Sequence, residues 1–195
     1  MQLAELRFSS DRGFAGKGYK MHIWLLDGAV IVALLGAWFD VISHRIPNRL
    51  TYPAMLAALV VRFGLFGWRG LLEGVLGLVL CGGAFFLLFV VHAMGGGDVK
   101  LMAAVGAWVG YHNAGIALIV CALAGGLIAL GYVIVLKRYR TTLSNITSLV
   151  RFHASSGLRE NPELNLSSAN AVRMPYGIAI AAGAVGTLIS TVWRG

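Results

Sequence analysis

The sequence predicts an all-α, polytopic integral membrane protein of about six transmembrane helices. Three observations carry that fold class. Hydrophobic residues make up 58% of the 195 positions and charged residues 12%, whereas a soluble chain averages about 25% charged. Mean hydropathy is +0.78. The apolar residues also gather into long blocks, each near the roughly 20 residues that a helix needs to cross a bilayer core.

The blocks follow one another with short polar breaks. The first runs from about Met21 to Trp38 and ends at Phe39-Asp40. The second, about Tyr52 to Gly67, is short and is interrupted by Arg62. The third covers about Leu71 to Val91, and the fourth, Val99 to Val109, is the weakest. A fifth spans about Ala114 to Leu136 and a sixth about Tyr176 to Trp193. Each is predicted helical, because backbone N–H and C=O groups facing hydrocarbon must be paired within their own segment. Gly70 with Gly74, and Gly106 with Gly110, are spaced four apart and read as helix-packing faces.

Residues 1–20 read as an N-terminal tail, with Met21 an alternative native start; residues 21–195 read as the transmembrane domain. The one long polar stretch, Lys137 to Met174, is expected as a cytoplasmic loop. With six spans, nine Lys and Arg residues fall on the side of that loop and seven on the other. That bias, strengthened if the tail is absent, marks the loop side as cytoplasm. The net charge of +8 thus belongs to connections that meet lipid head groups, and no nucleic-acid partner is expected. Cys81 and Cys121 lie inside apolar blocks and read as small buried side chains.

Acidic residues near the blocks are few: Asp27, Asp40, Glu73 and Asp98. Asp27 and Glu73 fall toward the opposite face from the loop and read as interfacial or structural. His92 and His112 flank helices with no partner at metal-ligand spacing. Asp40 closes the first helix, just before an Ile46-Pro47-Asn48 turn set by the fixed φ of proline. Asp98 opens the fourth helix behind Gly95-Gly96-Gly97, glycines that permit close backbone approach. Two crossings, the second and third blocks, separate the two acids, so they share a membrane face. Two carboxylates brought together in a semi-apolar setting share a proton, which suits acid–base hydrolysis of a peptide bond. A helix-capping role accounts for Asp98 alone, but leaves Asp40, at a C-terminal helix end, unexplained.

At these two segments the chain resembles the type IV prepilin peptidases, membrane aspartate proteases of bacteria. Asp40, five residues, then Ile46-Pro47-Asn48-Arg49-Leu50-Thr51 fits one family pattern, and Gly95-Gly96-Gly97-Asp98-Val99-Lys100 fits the Gly-x-Gly-Asp-x-Lys pattern. Met174-Pro175-Tyr176-Gly177 is similar to a Pro-aromatic-Gly segment before the last helix. The resemblance implies that Asp40 and Asp98 are catalytic, with Gly95, Gly97, Lys100, Pro47 and Asn48 as supporting motif residues. It implies an aspartic endopeptidase of the bacterial inner membrane, its active site facing the cytoplasm, without metal or other cofactor. Its partners would be prepilin or pseudopilin substrates, a pilus or secretion assembly machinery, and the lipid bilayer. The chain lacks the paired Cys-x-x-Cys motifs of larger members. It therefore resembles the short branch that serves tight-adherence (Flp-type) pili, and N-methyltransferase activity is not expected of it. Two other classes stay open on the residues alone: a small transporter or channel subunit using the paired carboxylates, and a non-catalytic secretion scaffold.

Overall fold

The computed structural model describes residues 2–91, 94–135 and 176–194; the polar stretch 137–174, Pro175 and His92 lie outside the described residues. All regular structure among the described residues is helical: α1 (Gln2–Ser43), α2 (Asn48–Val90), α3 (Gly96–Val109), α4 (Tyr111–Val135) and α5 (Tyr176–Arg194). Four helical stretches are long and apolar enough to cross a membrane: Ile23–Ser43 of α1, α2, Tyr111–Tyr132 of α4, and α5. The expected count of six is not confirmed. The second and third apolar blocks share α2, and the fourth forms α3, only 14 residues long or about 21 Å at 1.5 Å per residue.

α2 nevertheless bends sharply. Gly67 sits at φ 61°, ψ −147°, outside helical geometry, in a region that essentially only glycine enters. Beyond it the chain folds back on itself. A Cβ placed on Gly74 would lie 2.9 Å from Arg62 Cδ and 3.0 Å from Leu59 Cδ2, whereas 15 residues of straight helix would separate Leu59 from Gly74 by about 22 Å. The two arms of α2 are therefore a helical hairpin. Gly70, one turn past the bend, packs against the Arg62 carbonyl and Phe66, as the small-residue spacing anticipates.

α3 is the centre of the bundle. It packs most extensively on α2 and also touches α1, α4 and α5. Leu101 through Ala107 are all buried, as is Val109, the pattern of a helix that is apolar all round. The approach to α2 is a backbone contact: Gly106 meets the Gly77 carbonyl, with Cys81 beside it. Gly110 lies past the end of α3 with φ 74°, a turn residue that nonetheless packs on Gly77 beside Gly106, as the spacing of the pair anticipates. α5 seats against α1 and α4, with Gly177, Ala179, Ile180, Ala181, Gly183 and Ala184 buried. α4 turns Leu123, Leu127, Leu130 and Ile134 outward, one continuous face suited to hydrocarbon.

Arg62, which interrupts the second apolar block, is accommodated inside the bundle. It lies inside the first arm of α2 and is 1% exposed. Its Nε donates to the Ala107 carbonyl at 2.9 Å, Nη2 to the Trp108 carbonyl at 2.8 Å, and Nη1 to Glu73 Oε2 at 3.3 Å. The last carbonyls of a helix have no partner of their own. The guanidinium therefore acts as the C-terminal cap of α3, and a Cβ on Gly110 would collide with it. Glu73 takes the structural part expected of it, with the largely exposed His112 Nδ1 3.9 Å from its other oxygen.

Candidate functional site

α1 ends within four residues of Asp40. The His44 amide donates to the Asp40 carbonyl at 2.9 Å, and His44 then takes φ 49°, a left-handed conformation that stops a helix. The chain runs extended to Pro47, whose φ −70° and ψ 137° lead into α2. This is the turn expected over Ile46-Pro47-Asn48. It leaves the Asp40 side chain, 8% exposed, pointing into the bundle.

Asp40 Oδ2 accepts a 2.8 Å hydrogen bond from the Gly177 amide, at the second residue of α5. First-turn amides are free donors, and the positive end of a helix dipole favours a carboxylate. Asp40 thus sits at the unfavourable end of its own helix but at the favourable end of another. A Cβ on Gly177 would lie 2.8 Å from Ala37 Cα and 3.0 Å from Asp40 Cβ, so only glycine allows this approach.

Asp98 occupies the first turn of α3, after Gly95 as N-cap at φ −79°, ψ 148°. Its amide donates to the Gly95 carbonyl at 3.2 Å. The glycines before it differ in what surrounds them. A Cβ at Gly95 would be 3.3 Å from Asp98 Oδ2, and one at Gly97 would be 3.3 Å from Ile46 Cβ, while Gly96 has ordinary clearance at 3.6 Å from Phe89. The two motif glycines are the two tight ones.

Asp98 lies outside the four spans. Its carboxyl is pushed up to about 7, first by burial and second by the negative charge of Asp40, with a Gly95 backbone hydrogen bond pulling the other way. The two acids, 58 positions apart in sequence, are thus within electrostatic reach of each other. Gly125 of α4 lies against Tyr176 and Ala179 of α5, so α4 meets α5 beside the Gly177 contact to Asp40.

The remaining motif residues gather here too. Lys100 Nζ donates to Asn48 Oδ1 at 2.9 Å and stands 5.3 Å from the centre of the Tyr52 ring. Pro47 provides the N-cap position of α2. Two contributors escaped the sequence reading. Gly177 was visible only as part of a Tyr-Gly segment, with no signal for its amide contact. Tyr52, one helical turn after Asn48, carried no signal. Among the described residues no group of three or more His, Cys, Asp or Glu side chains is placed to hold a metal ion.

The fold and these helix ends define a class: a polytopic helical membrane protein that gathers two carboxylates at one end of its bundle. The chain belongs to the type IV leader peptidase family, whose model matches residues 28–130, both aspartates included. Among its relatives are proteins named prepilin leader peptidase/N-methyltransferase. The one from Aeromonas salmonicida is 32% identical over 120 residues, and the one from Aeromonas hydrophila 33% identical over 119. Each alignment covers 57% of this chain and 40% of the relative, so the chain matches well under half the length of these proteins. No solved structure matches it.

Proposed function

We propose that this chain is a membrane-embedded aspartic endopeptidase that removes the short basic leader of prepilin-like substrates at the cytoplasmic membrane face. The observation that carries the reading is the placement of the two acids at adjoining helix ends: Asp40 is held by the Gly177 amide, and Asp98 opens α3 where Gly97 lies against Ile46 of the turn that follows Asp40. Family membership supports it, as do the names of the relatives.

The chemistry follows from the pair. Asp98, pushed up to about 7, holds the shared proton and hydrogen-bonds to the scissile carbonyl. Asp40, with one oxygen engaged by the Gly177 amide, takes a proton from the attacking water. The water oxygen bonds to the carbonyl carbon, and the Asp98 proton passes to the carbonyl oxygen. Collapse of the gem-diol breaks the C–N bond. The proton on Asp40 goes to the leaving amine, and a hydroxyl proton returns to Asp98. A substrate helix held in the bilayer reaches the pair in a fixed orientation, which lowers the entropic cost of the encounter.

A transporter reading calls for acids near mid-helix or on broken helices, whereas Asp40 and Asp98 belong to terminal turns. The test is cleavage of a candidate prepilin co-expressed with wild type, Asp40→Ala or Asp98→Ala, followed by immunoblot at matched membrane abundance. Loss of the size shift in both variants upholds the reading. Processing by either well-folded variant overturns it.

A further inference from the structure

Lys100 follows Asp98 by two residues, yet its ammonium is aimed at neither carboxylate. Among the described residues it makes no ion pair; its partners are Asn48 Oδ1 at 2.9 Å and the face of Tyr52 at 5.3 Å. Asn48 and Tyr52 are four apart at the start of α2, so they share one face and form a two-point seat for the cation. A charge-assisted hydrogen bond is stronger than a neutral one, and Lys100 is itself half-buried. Beneath it, Gly97 on α3 lies against Ile46 in the turn that leaves α1. That turn is only three residues beyond the end of Asp40's helix.

We propose that Lys100, Asn48 and Tyr52 form a clasp that fastens the α1–α2 turn onto the first turn of α3. Lys100 is then a positioning residue: it sets the separation of Asp40 and Asp98 and touches no substrate. The catalytic part of this inference rests on the peptidase reading; the mechanical part does not.

Two measurements separate those parts. The first is steady-state cleavage of a prepilin by Lys100→Met, Asn48→Ala and the double variant, with Lys100→Arg and Asn48→Asp as conservative replacements. A clasp gives a kcat loss of about tenfold in each single variant with KM within twofold, no further loss in the double variant, and recovery in the conservative pair. If Lys100 instead contacts substrate, Lys100→Met raises KM and Asn48→Ala is silent, which overturns the proposal. The second measurement needs no activity. In an Ile46→Cys/Gly97→Cys protein the two positions are close enough for a disulfide. Adding Lys100→Met slows oxidative cross-linking about fivefold if the clasp holds the turn. An unchanged rate overturns the clasp whether or not the chain cleaves prepilins, whereas slowed cross-linking without any wild-type cleavage upholds the clasp and removes the peptidase reading.

Discussion

The Gly177 amide donates a 2.8 Å hydrogen bond to Asp40 Oδ2 across 137 positions of sequence, tying the last helix of the chain to the end of the first. This contact gives Asp40 the helix N-terminus that its own helix cannot supply, and it holds the carboxylate where Asp98 feels its charge.

Gly177→Ala is therefore expected to damage the site more than its size implies. The added methyl meets Ala37 Cα at 2.8 Å, and backbone cannot yield as a side-chain tip can. A displacement near 1 Å at a catalytic group costs on the order of a hundredfold in rate. Prepilin cleavage should fall by about that much, while Gly126→Ala, which meets nothing within 4 Å, should leave it unchanged.

The charge of Asp40 raises the Asp98 carboxyl, so removing that charge should lower it. Carbodiimide reacts with protonated carboxyls. Labelling of Asp98, followed by mass spectrometry, should fall off around pH 7 in the wild type, the value to which the carboxyl is pushed. In Asp40→Asn the fall should move to lower pH. Cleavage that needs the Asp98 proton should likewise decline as pH rises through 7. A midpoint unmoved by Asp40→Asn would remove the coupling.

Arg62→Met should destabilise the chain without touching the site. It leaves the Ala107 and Trp108 carbonyls without their donors, at about 1–3 kcal/mol for each buried group. Glu73 is partly exposed, so Glu73→Gln should cost less. Thermal unfolding in detergent would rank them, with Arg62→Met the lower Tm.

Gly67→Ala has space around it but the wrong backbone. Holding alanine at φ 61°, ψ −147° costs about 1–3 kcal/mol. Its Tm should fall, whereas Gly64→Ala, also uncrowded but with no positive φ, should be neutral.

The membrane class was legible because apolar blocks are a bulk property, and the helix ends bearing Asp40 and Asp98 were legible because Pro47 and the glycine run punctuate the chain. Hydropathy reads a charge as a break, so Arg62 registered only as an interruption of the second apolar block. The structure pairs that charge with Glu73 and the carbonyls at the end of α3, where burial is tolerable. The hairpin of α2 turns at Gly67, where the second apolar block was expected to end, but hydropathy does not show that so tight a bend leaves the two arms in one nearly continuous helical run. Contacts such as Gly177 to Asp40 depend on how distant helices stack, which local patterns do not encode.

The central claim is that Asp40 and Asp98 act as one acid–base pair. The most direct measurement is prepilin turnover by purified chain in proteoliposomes, comparing wild type with Asp40→Asn, Asp98→Asn and the double variant, with product identified by mass. A single unit of two carboxylates loses nearly all turnover in each single variant, and the double variant is no worse. Substantial turnover by either folded single variant would contradict the pair.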